Sequence, residues 1–248
     1  MITGCTGGTL STAGVAGTAL SRGEGRLLLI LSLVAVAAVM VTVGLLSTRV
    51  LRRLTPPDSA EPAVYTALGH HRFAVGSAAL CGAAALVTVA SVRPWPLWLP
   101  WLTFCAVGVW VACVDALTGL VPRAAAAAAA AAMAAAAAAM GAVGAPWSWS
   151  LRAVVGGVIC WGFFAALWLV SRGALRFGDV RFALPLGIAA ASASWLHLVA
   201  AVGVGAAIAL AFGIAVRVLT GRRTFAYTPG LAAGLVAAAA LSPLLRSG

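Results

Sequence analysis

Long apolar runs dominate this chain, and they limit the folds open to it more than any other feature. A transmembrane helix needs roughly 20 apolar residues. Eight stretches reach or approach that length: Leu27–Thr48, Phe73–Val92, Leu97–Val114, Ala124–Ala145, Ala153–Val170, Val180–Ala193, Leu196–Leu219 and Leu231–Leu245. With 63% hydrophobic and 8% charged residues, the chain has the composition of a polytopic membrane protein. We therefore predict an all-α membrane helix bundle of about eight transmembrane helices.

The boundaries of two features follow from the same pattern. Residues 1–26 are rich in Gly, Ser and Thr and predict a disordered tail, with the membrane domain over 27–248. The apolar stretch 180–219 is too long for one span and fits two, so we predict a turn near Ser194 and Trp195. The sixth and eighth runs are the shortest, so they support a span less strongly than the others.

The positive charges predict how the bundle is oriented. All 16 basic residues are arginines, scattered singly or in pairs, so the net charge of +11 does not indicate a nucleic-acid partner. Loops on one side hold eleven of them: Arg49, Arg52, Arg53, Arg72, Arg123, Arg172, Arg176, Arg181, Arg217, Arg222 and Arg223. The richer side is expected to be cytoplasmic. Six tryptophans fall near the opposite ends, as expected of an interfacial belt: Trp95, Trp98, Trp101, Trp147, Trp149 and Trp195.

Acidic residues are scarce, and two of the five lie at the edges of apolar runs. Asp115 ends the third run as it arrives at the predicted cytoplasmic face, and Asp179 precedes the sixth run as it leaves that face. A carboxylate beside a bilayer helix is costly and is by default a functional-site hypothesis. If the two helices pack together, the carboxylates share one membrane depth and one site.

Two adjacent carboxylates predict hydrolytic chemistry. They cannot both ionise cheaply, so such a pair holds one proton. The ionised member can take a proton from water while the protonated member polarises a carbonyl. The alternatives are a solvated helix end for Asp115 and a helix cap for Asp179, although capping and catalysis are compatible.

The residues around both aspartates resemble a known family. Asp115-Ala-Leu-Thr118-Gly-Leu-Val121-Pro122 resembles the D-x-x-T-x-x-[I/V]-P element of prepilin peptidases, the type IV leader peptidases. Arg176-Phe-Gly178-Asp179-Val-Arg181-Phe resembles their G-x-G-D-[V/I]-[K/R]-[L/F] element, typical of GxGD-type intramembrane aspartic peptidases. Phe225-Ala-Tyr-Thr-Pro229-Gly-Leu-Ala-Ala-Gly resembles their F-x-P-x-L-x-x-G element. The resemblance covers roughly residues 75–245.

The resemblance implies an aspartic endopeptidase with Asp115 and Asp179 as its catalytic pair. It also implies a multi-pass protein of the bacterial inner membrane that removes the basic leader of type IV pilin or pseudopilin precursors at the cytoplasmic face. Thr118, Pro122, Gly178 and Pro229 are motif positions that we expect to position the pair, and Arg181 we interpret as a topology determinant. Proteolysis needs no cofactor or metal, whereas many members also N-methylate the product with S-adenosylmethionine.

Two departures from the family pattern bear on activity. Arg176 stands where the motif has its first Gly, and it lacks the backbone freedom or close approach that Gly permits. The loop from Arg49 to Arg72 contains no CxxC pair, which puts metal dependence and methyltransferase activity in doubt. An inactive homologue, a non-catalytic scaffold and a small transporter with proton-binding aspartates remain alternatives. The five cysteines form no CxxC pair and are interpreted as small buried hydrophobic residues, and His70-His71 as an incidental loop pair.

Overall fold

The computed structural model describes residues 22–50, 68–171, 175–220 and 226–245, and every regular element within these ranges is helical. The prediction of an all-α fold is therefore confirmed. The helices are α1 (Arg22–Leu45, continued by the π-helical turn Leu46–Val50), α2 (His71–Ser91), α3 (Trp95–Thr118), α4 (Arg123–Ala142), α5 (Trp147–Val170), α6 (Phe177–Ala193), α7 (Trp195–Thr220), α8 (Thr228–Ala240) and the short α9 (Ser242–Leu245).

Each predicted apolar run corresponds to one of the helices α1 to α8, but not all are long enough to cross a bilayer by themselves. Among the described residues, six helices meet the length and hydropathy expected of a span, which makes the chain a multi-pass membrane protein. Helices α6 and α8 have 17 and 13 residues and fall short, so the count of eight spans is not confirmed.

Two predicted boundaries can be compared with the helix ends. Helix α6 ends at Ala193, Ser194 is extended, and α7 begins at Trp195, so the turn predicted within 180–219 is confirmed. The predicted tail lies outside the described residues up to residue 21. Residues 22–26 of that segment are helical, because α1 begins at Arg22.

Helix α3 forms the centre of the bundle. It is the most enclosed candidate span, with 72% of the residues in its apolar window buried. It combines a short 3₁₀ turn, an α-helical segment, the π-helical turn Phe104–Gly108 and a final α-helix Val109–Thr118. The extra residue of a π turn rotates everything after it by roughly 100° about the helix axis. The π turn therefore helps decide which neighbours Asp115 faces.

Seams of small residues hold the remaining helices in close pairs. The most extensive contacts join α5 to α6 and α7 to α8. Gly156 and Gly157 of α5 pack so closely against α6 that a Cβ on Gly156 would lie 2.1 Å from the Cβ of Ala191. Such seams let backbones approach and maximise van der Waals contact, which drives helix association where lipid is as apolar as the side chains. These two seams position α6 and α8, the helices that complete the candidate site.

The six tryptophans of the predicted belt differ in exposure: three are exposed, two are buried and Trp149 is half-buried. Trp95, Trp147 and Trp195 begin α3, α5 and α7 and are exposed, as an interfacial belt requires. Trp98 and Trp101 are buried instead, so the prediction is wrong for these two. The indole of Trp98 donates to the carbonyl oxygen of Val92 at 2.9 Å, because α3 turns its first residues into the bundle.

Candidate active site

The last turn of helix α3 holds Asp115 in a buried position. Its side chain is only 3% exposed. Gly119 ends the helix in the left-handed conformation (φ 64°), and its N–H donates to the carbonyl oxygen of Asp115 at 2.7 Å. The Thr118 hydroxyl lies 2.8 Å from the Val114 carbonyl oxygen and accepts from the N–H of Leu120 at 3.1 Å. Thr118 thus shapes the turn that follows Asp115, and its positioning role in catalysis stays a prediction.

The first turn of α6 holds Asp179, which is 5% exposed. The N–H of Asp179 donates to the carbonyl oxygen of Arg176 at 3.0 Å, and the N–H of Arg176 donates back to Asp179 Oδ2 at 3.3 Å. This reciprocal pair fixes the carboxylate at the positive end of the helix dipole. The cap position itself belongs to Arg176, so Asp179 is not the helix cap that the sequence allowed but the third residue of the helix, whose side chain accepts from the cap residue's N–H.

Thr228, the first residue of α8, joins the two acidic residues. It is fully buried, and its hydroxyl donates to Asp179 Oδ1 at 2.9 Å. The same threonine lies beside Asp115, and the two carboxyl groups are close enough for their charges to interact. Helices α3, α6 and α8 thus bring Asp115, Asp179 and Thr228 together at one end of the bundle. The motif around Pro229 did not single out Thr228 in the sequence, although a hydroxyl beside that proline was a usable signal.

Asp115 and Asp179 differ in their hydrogen bonds. Both oxygens of Asp179 accept, one from Thr228 and one from the Arg176 N–H. Asp115 Oδ2 is buried and has no hydrogen-bond partner among the described residues. An unpartnered buried carboxyl oxygen is costly unless it is protonated or meets a ligand. The pair is therefore asymmetric: each oxygen of Asp179 accepts a hydrogen bond, whereas Asp115 has one oxygen, Oδ2, left able to act on a further group.

Arg176 connects the two aspartate-bearing turns. Its backbone (φ −82°, ψ 146°) is an ordinary extended conformation. The concern that only Gly could adopt the backbone angles here is therefore wrong. The side chain is exposed, its guanidinium Nη1 donates to the carbonyl oxygen of Gly119, and its charge interacts with both carboxyl groups.

The other motif residues lie around the pair. A Cβ on Gly178 would lie 3.2 Å from Val121, so Gly178 lets the turn after α3 pack against α6. Pro122 caps α4, and Pro229 lies in the first turn of α8, where the missing N–H costs nothing. The guanidinium of Arg181 stacks over the Phe177 ring at 4.7 Å rather than approaching the carboxylates.

Tyr227 also borders the site and was not predicted from the sequence. It precedes α8 and is half-buried. Burial and the nearby charge of Asp179 raise the pKa of its phenol. The hydroxyl therefore stays protonated at neutral pH. Its ring packs edge-on against Phe164, with centroids 6.4 Å apart.

An apolar groove of about 330 Å³ runs from the site between α2, α3 and α8. Twelve residues line it, and all are apolar or Cys. Ala116 follows Asp115 in the chain and Pro229 follows Thr228, so one end of the groove lies one residue away from the site, although neither aspartate lines it. Cys113, one turn before Ala116 on α3, also lines it. The groove can therefore hold an apolar segment next to the carboxyl groups.

Among the described residues, no three His, Cys, Asp or Glu side chains converge into a group that could hold a metal ion. His70 and His71 are exposed at the start of α2. The segment 51–67 of the first predicted cytoplasmic loop lies outside the described residues.

No family model, curated protein or solved structure matches the chain.

Proposed function

We propose that this protein is a membrane-embedded aspartic endopeptidase. The observation that carries the proposal is the meeting of Asp115 and Asp179, both buried, at three helix ends where Thr228 touches both. Paired carboxylates in a protected site share a proton and divide the acid and base roles. The resemblance of the surrounding motifs to prepilin peptidases supports the same chemistry.

The hydrolytic step needs only the two carboxyl groups and water. The ionised aspartate takes a proton from water, whose oxygen attacks the peptide carbonyl carbon, while the protonated aspartate donates to the carbonyl oxygen. The tetrahedral intermediate then collapses and the C–N bond breaks: the aspartate that took the proton from water passes it to the leaving amine, and the hydroxyl formed from the carbonyl oxygen returns its proton to the other aspartate. The low dielectric around the buried pair strengthens each of these interactions.

The proposed substrate is a pilin or pseudopilin precursor, with a basic leader followed by an apolar helix. The apolar groove beside the pair supports this choice, because it offers the segment after the cleavage point a surface without polar groups. The eleven arginines predicted on one side support cleavage at the cytoplasmic face of the membrane, which the proposal takes to be a bacterial inner membrane. N-methylation with S-adenosylmethionine remains a separate question within it.

Co-expression with a pilin-like precursor tests the proposal directly. Wild-type protein should convert the precursor to a shorter mature form with a defined new N-terminus. Asp115→Asn and Asp179→Asn should each stop conversion, whereas Asp58→Asn, in a polar stretch outside the apolar runs, should not. Continued conversion in both site variants would rule out the assignment. Ion uptake into proteoliposomes that depends on Asp115, without cleavage, would favour the transporter alternative.

A further inference from the structure

We infer that Thr228 is a positioning residue for the reaction, and that its hydroxyl makes Asp179 the member of the pair that holds the negative charge. This inference rests on the proposed function. It assigns separate roles to the carboxyl groups: Asp179 takes the proton from water, and Asp115 carries the shared proton and points Oδ2 towards the substrate carbonyl.

The donors around the pair support this division. Asp179 accepts from the Thr228 hydroxyl at 2.9 Å and from the Arg176 N–H at 3.3 Å, while α6 presents its positive dipole end. Hydrogen bonds to a carboxylate favour its charged form. Asp115 Oδ2 has no such donor among the described residues. One proton shared by the pair therefore resides on Asp115.

A purely structural role for the Thr228 hydroxyl fits the geometry less well. A threonine at the start of a helix commonly caps its own helix. Here the cap position of α8 belongs to Tyr227, without a side-chain cap bond, and the hydroxyl of Thr228 points across to α6 instead. The side chain is fully buried, so water does not compete for this bond. The hydroxyl therefore acts on the carboxylate and not on its own helix.

Substitutions that separate the hydroxyl from the shape of the side chain test the inference. Purified wild-type protein, Thr228→Ser and Thr228→Val are compared for kcat and KM on a pilin-like precursor. Val keeps the branched shape of the side chain and loses the hydrogen-bond donor. Losing a hydrogen bond to a charged group changes a rate or equilibrium constant by about 10- to 100-fold. We expect kcat to fall by about that factor in the Val variant with KM nearly unchanged. The Ser variant should stay within about threefold of wild type.

Thr88→Val serves as the matched control. Thr88 is a buried threonine of α2 whose hydroxyl lies 3.5 Å from Cys105 Sγ, away from the carboxyl pair, so this variant should keep the wild-type kcat. A Thr228→Val variant with wild-type kcat, or equal losses in the Val and Ser variants, would overturn the inference. If the Val variant does not fold, Thr228→Ala against Thr228→Ser gives the same comparison. An inactive wild-type protein would instead refute the proposed function.

Discussion

Replacing Gly234 with Ala tests the close packing that holds α8 against α7. A Cβ at this position would lie 2.3 Å from the carbonyl oxygen of Ala201 and 2.4 Å from the Cα of Gly205. These are backbone atoms, so no side chain can rotate away. Ordinary Cβ contacts begin at 3.4 Å, and the two helices must therefore separate by roughly 1 Å.

This separation should lower both stability and activity. Overpacking costs about 1–3 kcal/mol, and the gain in helix propensity offsets at most about 1 kcal/mol of it. For a protein of this size, we expect the Tm to fall by about 2–6 °C. Thr228 lies on the same helix, and a 1 Å shift takes its 2.9 Å bond to Asp179 out of hydrogen-bonding range. Cleavage should therefore fall by about tenfold or more.

Thermal unfolding in detergent gives the measurement. A thiol-reactive fluorophore reports unfolding, because Cys81, Cys105 and Cys160 are buried and become accessible. Gly203→Ala is the matched control, since a Cβ there meets no atom within 4 Å and the substitution should raise stability by about 0.5–1 kcal/mol. Equal shifts in the two variants, or a Gly234→Ala protein as stable as wild type, would refute the packing argument.

Three further substitutions test other parts of the bundle. Arg152 of α5 donates to the last three carbonyl oxygens of α6 at 2.6–2.9 Å, so Arg152→Ala should cost about 2–3 kcal/mol in an unfolding assay, with cleavage retained at low temperature. Gly178→Ala should be tolerated and Gly178→Leu should lower cleavage at least about tenfold, because Val121 is already 3.2 Å from a Cβ there. Arg176→Gly should leave cleavage within about threefold, since the guanidinium bond to Gly119 is exposed and the backbone is unstrained; a gain of tenfold or more would mean that the arginine suppresses activity.

Some features of the site could be predicted from the chain alone. The spacing of apolar runs and loops placed Asp115 and Asp179 at the same end of the bundle, because successive short-looped helices cross a membrane in opposite directions. Thr228 could not be recognised in this way. Its role depends on α8 packing beside α3 and α6, and hydropathy carries no information about which helices are neighbours.

The sequence by itself determined the fold class, the helix boundary at Ser194 and the scarcity of acidic residues that singled out the pair. These three features follow from the composition of the chain and from the length and spacing of its apolar runs, because a bilayer imposes the same length and polarity on every span. Only the tertiary structure decided that both oxygens of Asp179 accept hydrogen bonds, that Asp115 Oδ2 accepts none from the described residues, and that an apolar groove lies between α2, α3 and α8. Those properties arise where helices distant in sequence meet at ångström separations, set by glycine seams such as Gly205 against Gly234.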